Sequence, residues 1–207
     1  MTTCTRWLST KASASVMMLA LGALPFLASC TSQQTQGTSS SYLIINTLQA
    51  ASGATPTQFG GSLESDVETK GSVFEDPGEV IFSLGLKDPG SATTPTTPTT
   101  ANFITVTSYH VTFVRSDGQN TPGVSVPWPF DGAMTITVGN ENATGTFVLV
   151  RAQAKLEAPL LALVNGGGQG LISTIAQVTF YGTDQTGRQV SVTGTVSVNF
   201  ADWADPS

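Results

Sequence analysis

The 207-residue sequence predicts an all-β fold in which two antiparallel sheets pack face to face, with one short helical segment. Three observations carry this. Thr occurs 31 times, whereas Lys and Glu occur 4 and 6 times; Thr suits a pleated strand, while Lys and Glu suit helices. Residues 171–200 alternate apolar and polar side chains along two successive runs, the period of a half-buried strand. Only residues 152–164, AQAKLEAPLLALV, have helix-like composition, and Pro159 limits them to one or two turns.

Each element follows from its own residues. Residues 42–48, YLIINTL, are a short β-prone run and the expected first strand, and the Gly- and Thr-bearing stretch 51–62 is a loop. Six acids crowd residues 63–79: Glu64, Asp66, Glu68, Glu75, Asp76 and Glu79. Because such a run is usually hydrated, it reads as a solvated acidic loop. In residues 79–87, Val80, Phe82, Leu84 and Leu86 share one face of a strand. Residues 88–101, DPGSATTPTTPTTA, are a Thr/Pro-rich surface loop. They do not divide two domains, because the 46 residues of 42–87 cannot build a core alone. Residues 102–115 form a long strand with Tyr109, Val111 and Phe113 on one side and His110 and Thr112 on the other. Strands at 133–138 and 146–151 follow, separated by the Gly139–Asn142 turn. In the last hairpin, Ile172, Thr174, Ala176, Val178 and Phe180 face the core, as do Val190, Val192, Gly194, Val196, Val198 and Phe200. Seven or eight strands in about 165 residues match an immunoglobulin-like sandwich, and a closed β-barrel is the alternative. Residues 42–207 are thus one domain.

The first thirty residues differ from the rest. Arg6 and Lys11 precede an apolar run over 12–28, and small residues follow: the pattern of a secretory signal. Leu27-Ala28-Ser29-Cys30 resembles the lipobox of bacterial lipoprotein precursors. The resemblance implies recognition of Leu27, Ala28 and Ser29 by the lipoprotein signal peptidase, removal of residues 1–29, and a covalent lipid on Cys30. Thr31 in place of Asp implies an outer-membrane destination in a Gram-negative cell. Residues 30–41 would then be the lipidated Cys and a flexible polar tether. Cleavage removes Cys4 and leaves 6 basic against 14 acidic side chains and no pair of free cysteines. The globular part is also similar to domains of bacterial lipoproteins through TPGVSVPWPFDG, EAPLLALVN and TIAQVTFYGTDQTGRQVSVTG; that similarity implies no activity.

Chemistry-bearing patterns are sparse. The net charge of −6 argues against nucleic acid as a partner. A single His rules out a multi-histidine metal site. His110 is mid-strand and solvent-facing, no G-x-S-x-G elbow occurs, and Asp131 is the least poor of the carboxylates for glycoside chemistry. Glu64, Asp66 and Glu68 are candidate calcium ligands, but without the EF-hand spacing. Trp128, between two prolines, is a candidate recognition aromatic, although a core plug is the more usual role of such a ring. These readings predict a lipid-anchored envelope protein. It is non-enzymatic, needs no cofactor beyond the lipid on Cys30, touches the membrane through that anchor, and binds an unidentified protein or glycan. The alternatives are a calcium-assisted carbohydrate-binding or hydrolytic module and a subunit that pairs through a sheet edge.

Overall fold

The structure is a computed structural model that describes residues 38–166 and 170–203. Cys30, its lipobox neighbours Leu27, Ala28 and Ser29, and Thr31 lie outside the described residues, as does the Gly167-Gly168 pair.

The described residues are mostly strand and pack as a β-sandwich. One sheet contains β1 (Ser41–Ala50), β3 (Asp76–Leu86) and β8 (Ala143–Val150), in the order β1-β3-β8. The other contains β2 (Ser62–Asp66), β6 (Ile104–Val114), β7 (Phe130–Val138), β9 (Ile172–Asp184) and β10 (Gln189–Ala201), in the order β2-β10-β9-β6-β7. The two sheets share no ladder among the described residues, so the barrel alternative does not hold. A two-residue ribbon, β4 (Gly90–Ser91) with β5 (Thr94–Pro95), decorates the exposed Thr/Pro loop. Between β8 and β9 lie α1 (Ala152–Lys155) and a 3-10 turn at Leu160–Leu163, interrupted by Pro159 as composition requires.

The alternation read from the sequence is realised in β9 and β10. Ile172, Ala176, Val178, Phe180, Val196, Val198 and Phe200 are all buried, whereas Thr193, Thr195 and Ser197 are exposed. The core centres on rings. Phe82 meets Phe180 edge to face at 5.0 Å, Phe147 meets Phe180 at 5.3 Å, and Tyr109 meets Phe147 at 5.1 Å. Such pairs add about 0.5–1.5 kcal/mol beyond the area they bury. Two of these rings lie over a glycine on the neighbouring strand. Tyr109 stands opposite Gly132, and Phe147 opposite Gly78, and a Cβ at either glycine would run into the ring. The Tyr109 hydroxyl, turned inward by this packing, accepts the Val148 N–H at 3.2 Å. Burial pushes its pKa up.

Three expectations need correction. The acidic stretch is not wholly a solvated loop: Ser62–Asp66 is a strand that runs parallel to Ser197–Ala201, so the sandwich is not purely antiparallel. Its alternation escapes a hydropathy reading because one of its two inward residues, Ser65, is polar; Leu63 and Ser65 are both buried. In the same stretch Asp76 is 0% exposed. Finally, the domain begins before Tyr42. Ser39 and Ser41 are buried, and Ser41 Oγ donates to the Asn102 carbonyl at 2.7 Å.

Candidate functional site

The outer face of the five-stranded sheet is a lattice of polar pairs. Thr179 and Thr193 hydroxyls meet at 2.9 Å, and Thr105 and Thr137 at 3.0 Å. Ser173 Oγ donates to Asn199 Oδ1 at 2.7 Å, and Asn199 Nδ2 donates to Glu64 at 3.0 Å. These are directly opposed or diagonal neighbours on adjacent strands, where hydroxyl pairs stabilise a sheet.

Part of this face is concave. Thr107, Ser108, Tyr181, Gly182, Thr183, Gln189, Val190 and Ser191 line a depression of about 440 Å³. It lies where the ladders on both sides of β6 slip between Val106 and Ser108. An extra residue of this kind twists and bends a sheet locally. At the slip Gly182 is buried, and a Cβ there would stand 2.5 Å from the Thr105 carbonyl oxygen, so the backbones approach as only glycine allows. Tyr181 remains 44% exposed beside the hydroxyls of Ser108, Thr183 and Ser191. The lining carries no charged side chain. It presents one aromatic face, several hydroxyls and one amide, a set that hydrogen-bonds and stacks but cannot supply a carboxylate or an imidazole. The sequence carried a signal for this slip. Apolar residues keep one phase at Ile104 and Val106, then change phase at Tyr109, Val111 and Phe113.

Two residues that the sequence left apart meet on the same face. His110 Nδ1 and Asp131 Oδ1 are 2.7 Å apart, brought together by the β6–β7 register. On its other side His110 stands opposite Thr179, which places acid, imidazole and hydroxyl in one row. The row is not a wired triad: the Thr179 hydroxyl is engaged by Thr193, and Asp131 is 84% exposed.

The other candidates disperse. Glu64 binds Asn199, while Asp66 accepts the Thr69 hydroxyl at 2.7 Å and the Trp203 N–H at 3.0 Å, so both its oxygens are occupied. Glu68 lies past the end of β2, next to the tight Thr69–Ser72 bridge. Among the described residues no three His, Cys, Asp or Glu side chains gather to hold a metal ion. Trp128 is 52% exposed and is no core plug. Val126 and Pro127 take the buried places in its loop, and its ring lies over the Gly123 backbone.

A second polar centre, missed from the sequence, is fully enclosed. Lys155 Nζ, at the end of α1, lies 2.9 Å from Asp76 Oδ1, with 1% and 0% of the two side chains exposed. The Gly53 N–H donates to Asp76 Oδ1 at 2.8 Å and the Ser65 hydroxyl to Asp76 Oδ2 at 2.6 Å. Burial pushes the Asp76 pKa up, against the opposing pull of Lys155, Ser65 and Gly53. The partners are 79 residues apart in sequence, and the only hint is a lysine followed and preceded by apolar residues in a chain with few lysines.

Comparison with known protein families, with curated proteins and with solved structures returns no match to this chain.

Proposed function

We propose that the protein is a lipid-anchored binding module of the bacterial cell envelope, held by Cys30, with an immunoglobulin-like sandwich that takes a neutral polyhydroxylated ligand, a glycan, on the outer face of its five-stranded sheet. The observation that carries the ligand class is the uncharged depression beside Tyr181: an exposed ring among hydroxyl and amide groups. Sugar rings offer apolar C–H faces to an aromatic ring and hydroxyls to such partners. Binding fits better than catalysis, because the Thr179 hydroxyl opposite His110 meets the Thr193 hydroxyl and Asp131 is open to solvent. The acidic balance of the chain disfavours nucleic acid and anionic polymers. The anchor reading rests on Leu27-Ala28-Ser29-Cys30. Residues 30–38 can extend about 30 Å from membrane to domain at the reach of an extended chain.

The test is calorimetric titration of the full chain with neutral oligosaccharides, comparing wild type with Tyr181→Ala. Tyr181 is an outer-face residue, so the variant keeps its thermal midpoint. Affinity falls at least about tenfold when the stacking partner is lost, as for anchoring aromatics generally. Equal affinity in the two proteins, or no binding by any neutral oligosaccharide, overturns the reading.

A further inference from the structure

We propose that Lys155 and Asp76 condense after folding into an intramolecular isopeptide bond, Nζ of Lys155 to Cγ of Asp76, with loss of one water. The geometry is that of reactants held in contact. The amine lies 2.9 Å from the carboxyl oxygen, both side chains are shut away from solvent, and two fixed donors point at the carboxyl group. Holding two reactants in this way replaces a bimolecular encounter with an effectively unimolecular one.

The enclosure also favours the reactive form of the carboxyl group. A dry site disfavours separated charge, and burial pushes the Asp76 carboxyl toward its neutral acid. A proton passes from the Lys155 ammonium to Asp76 Oδ1 across their hydrogen bond, leaving a neutral amine beside a neutral acid. The nitrogen lone pair attacks Cγ, the C–N bond forms, and the carbonyl electron pair moves onto Oδ2, where the Ser65 hydroxyl donates at 2.6 Å. This is the place an oxyanion donor takes in acyl transfer. A second proton passes from nitrogen to Oδ1. The Cγ–Oδ1 bond breaks, Oδ1 leaves as water, and the carbonyl re-forms on Oδ2. An ammonium and a carboxylate become an amide and a water, and no oxidant, nucleotide or metal is consumed.

The product makes physical sense in this position. A buried ion pair contributes little net stability, because each ion loses its hydration. Condensation removes both charges. It also joins the start of β3 to the connection between β8 and β9, next to Ser65 on β2 in the other sheet, in a domain that has no cysteine among its described residues.

Mass spectrometry of the denatured full chain tests this directly. Wild type, after allowance for loss of residues 1–29 and the lipid on Cys30, is lighter than its sequence by the mass of one water and yields a branched peptide that joins the Asp76 and Lys155 segments. Lys155→Arg, which keeps the charge but does not acylate, has the full mass. Wild type with linear peptides and a free Lys155 overturns the proposal. So does a water deficit that persists in Lys155→Arg, since it would belong to cyclisation at Asp117-Gly118 or Asp131-Gly132. Ser65→Ala forms the branched peptide about a hundredfold more slowly, the usual loss for one oxyanion donor. An unchanged rate removes Ser65 from the reaction.

Discussion

Each end of the sandwich buries one carboxylate, and the two are held in different ways: both oxygens of Asp76 accept hydrogen bonds, whereas those from the Asp184 turn converge on Oδ1. At one end Asp76 is 0% exposed and depends on partners from three separate segments: Gly53 in a loop, Ser65 on β2 and Lys155 on α1. At the other end Asp184 is 3% exposed and draws most of its donors from its own turn, with the Ser39 hydroxyl added from the start of the domain. Its Oδ1 accepts the Thr186 hydroxyl at 2.6 Å, the Thr186 N–H at 2.9 Å and the Arg188 N–H at 3.0 Å. The electrostatic outcomes are opposite. Burial dominates at Asp76 and raises its pKa. Burial also pushes Asp184 upward, but the hydrogen bonds from Thr186, Arg188 and Ser39 outweigh it and hold the carboxyl at about 2. A local turn can thus keep a charge in a crowded site, whereas a centre assembled over long range pays for its charge and gains from losing it.

Breaking the long-range centre has the largest effect. Lys155→Met removes the amine, so neither the ion pair nor the amide can form and the Asp76 carboxyl is left buried without a partner. Removing one partner of a buried pair costs about 3–5 kcal/mol, and loss of the cross-link adds to it. The denaturant midpoint measures it. The double variant Asp76→Leu/Lys155→Met is more stable than Lys155→Met, because no charge is left stranded. If Lys155→Met costs less than about 1 kcal/mol, the centre is no more than a surface-like pair, for which that is the usual value.

The strand between the two ends provides the scale for these numbers. Val196 is 3% exposed and Thr195, its neighbour on the opposite face, is exposed. Val196→Ala removes two buried methyl groups and costs about 1.5–3 kcal/mol, counting the cavity. Thr195→Ala costs within about 0.5–1 kcal/mol, mostly lost strand propensity. Equal midpoint shifts in the two variants would contradict a hairpin with one dry and one wet face, and would leave the costs at the ends without a reference.

The two ends also differ in how far they could be read from sequence. Asp184 sits in a short Asp/Gly turn between two alternating runs, and its donors Thr186 and Arg188 are within four residues, with Ser39 as a distant third; the hairpin and its faces follow from period alone. The Asp76–Lys155 centre depends on where β3 and α1 come to rest, and no period encodes that. β2 escaped notice for a related reason. Its inward Ser65 is polar because Asp76 needs a donor, so the strand lacks the apolar alternation that marks its neighbours. His110 and Asp131 are joined only by the register across a long loop, residues 115–129, whose length sequence rules do not convert into an offset. Trp128 shows the limit of composition. Large rings usually bury, but here Val126 and Pro127 fill the space and the ring stays at the surface.

The smallest effect is at the local turn, and its sign is set by the direction of the shift. The Asp184 pKa is lowered from the usual 3.8 to about 2, so the native state binds this proton less readily than the unfolded chain does. Its contribution is therefore complete above the unfolded value and is lost as pH falls from 3.8 toward 2. Asp76 carries the opposite sign until its condensation with Lys155 removes the titrating group. Asp184→Asn keeps an acceptor oxygen for Thr186 and Arg188 but discards the charge, and costs about 1 kcal/mol near neutral pH, the difference between a charged and a neutral acceptor. The gap between wild type and variant, taken from denaturant midpoints, narrows across that acid window as the wild-type carboxyl protonates. Effects common to both proteins cancel in the difference. A gap that stays constant from neutral pH down to the bottom of the window would mean that the turn is held by its backbone geometry and not by the Asp184 charge, which would erase the contrast between the two ends.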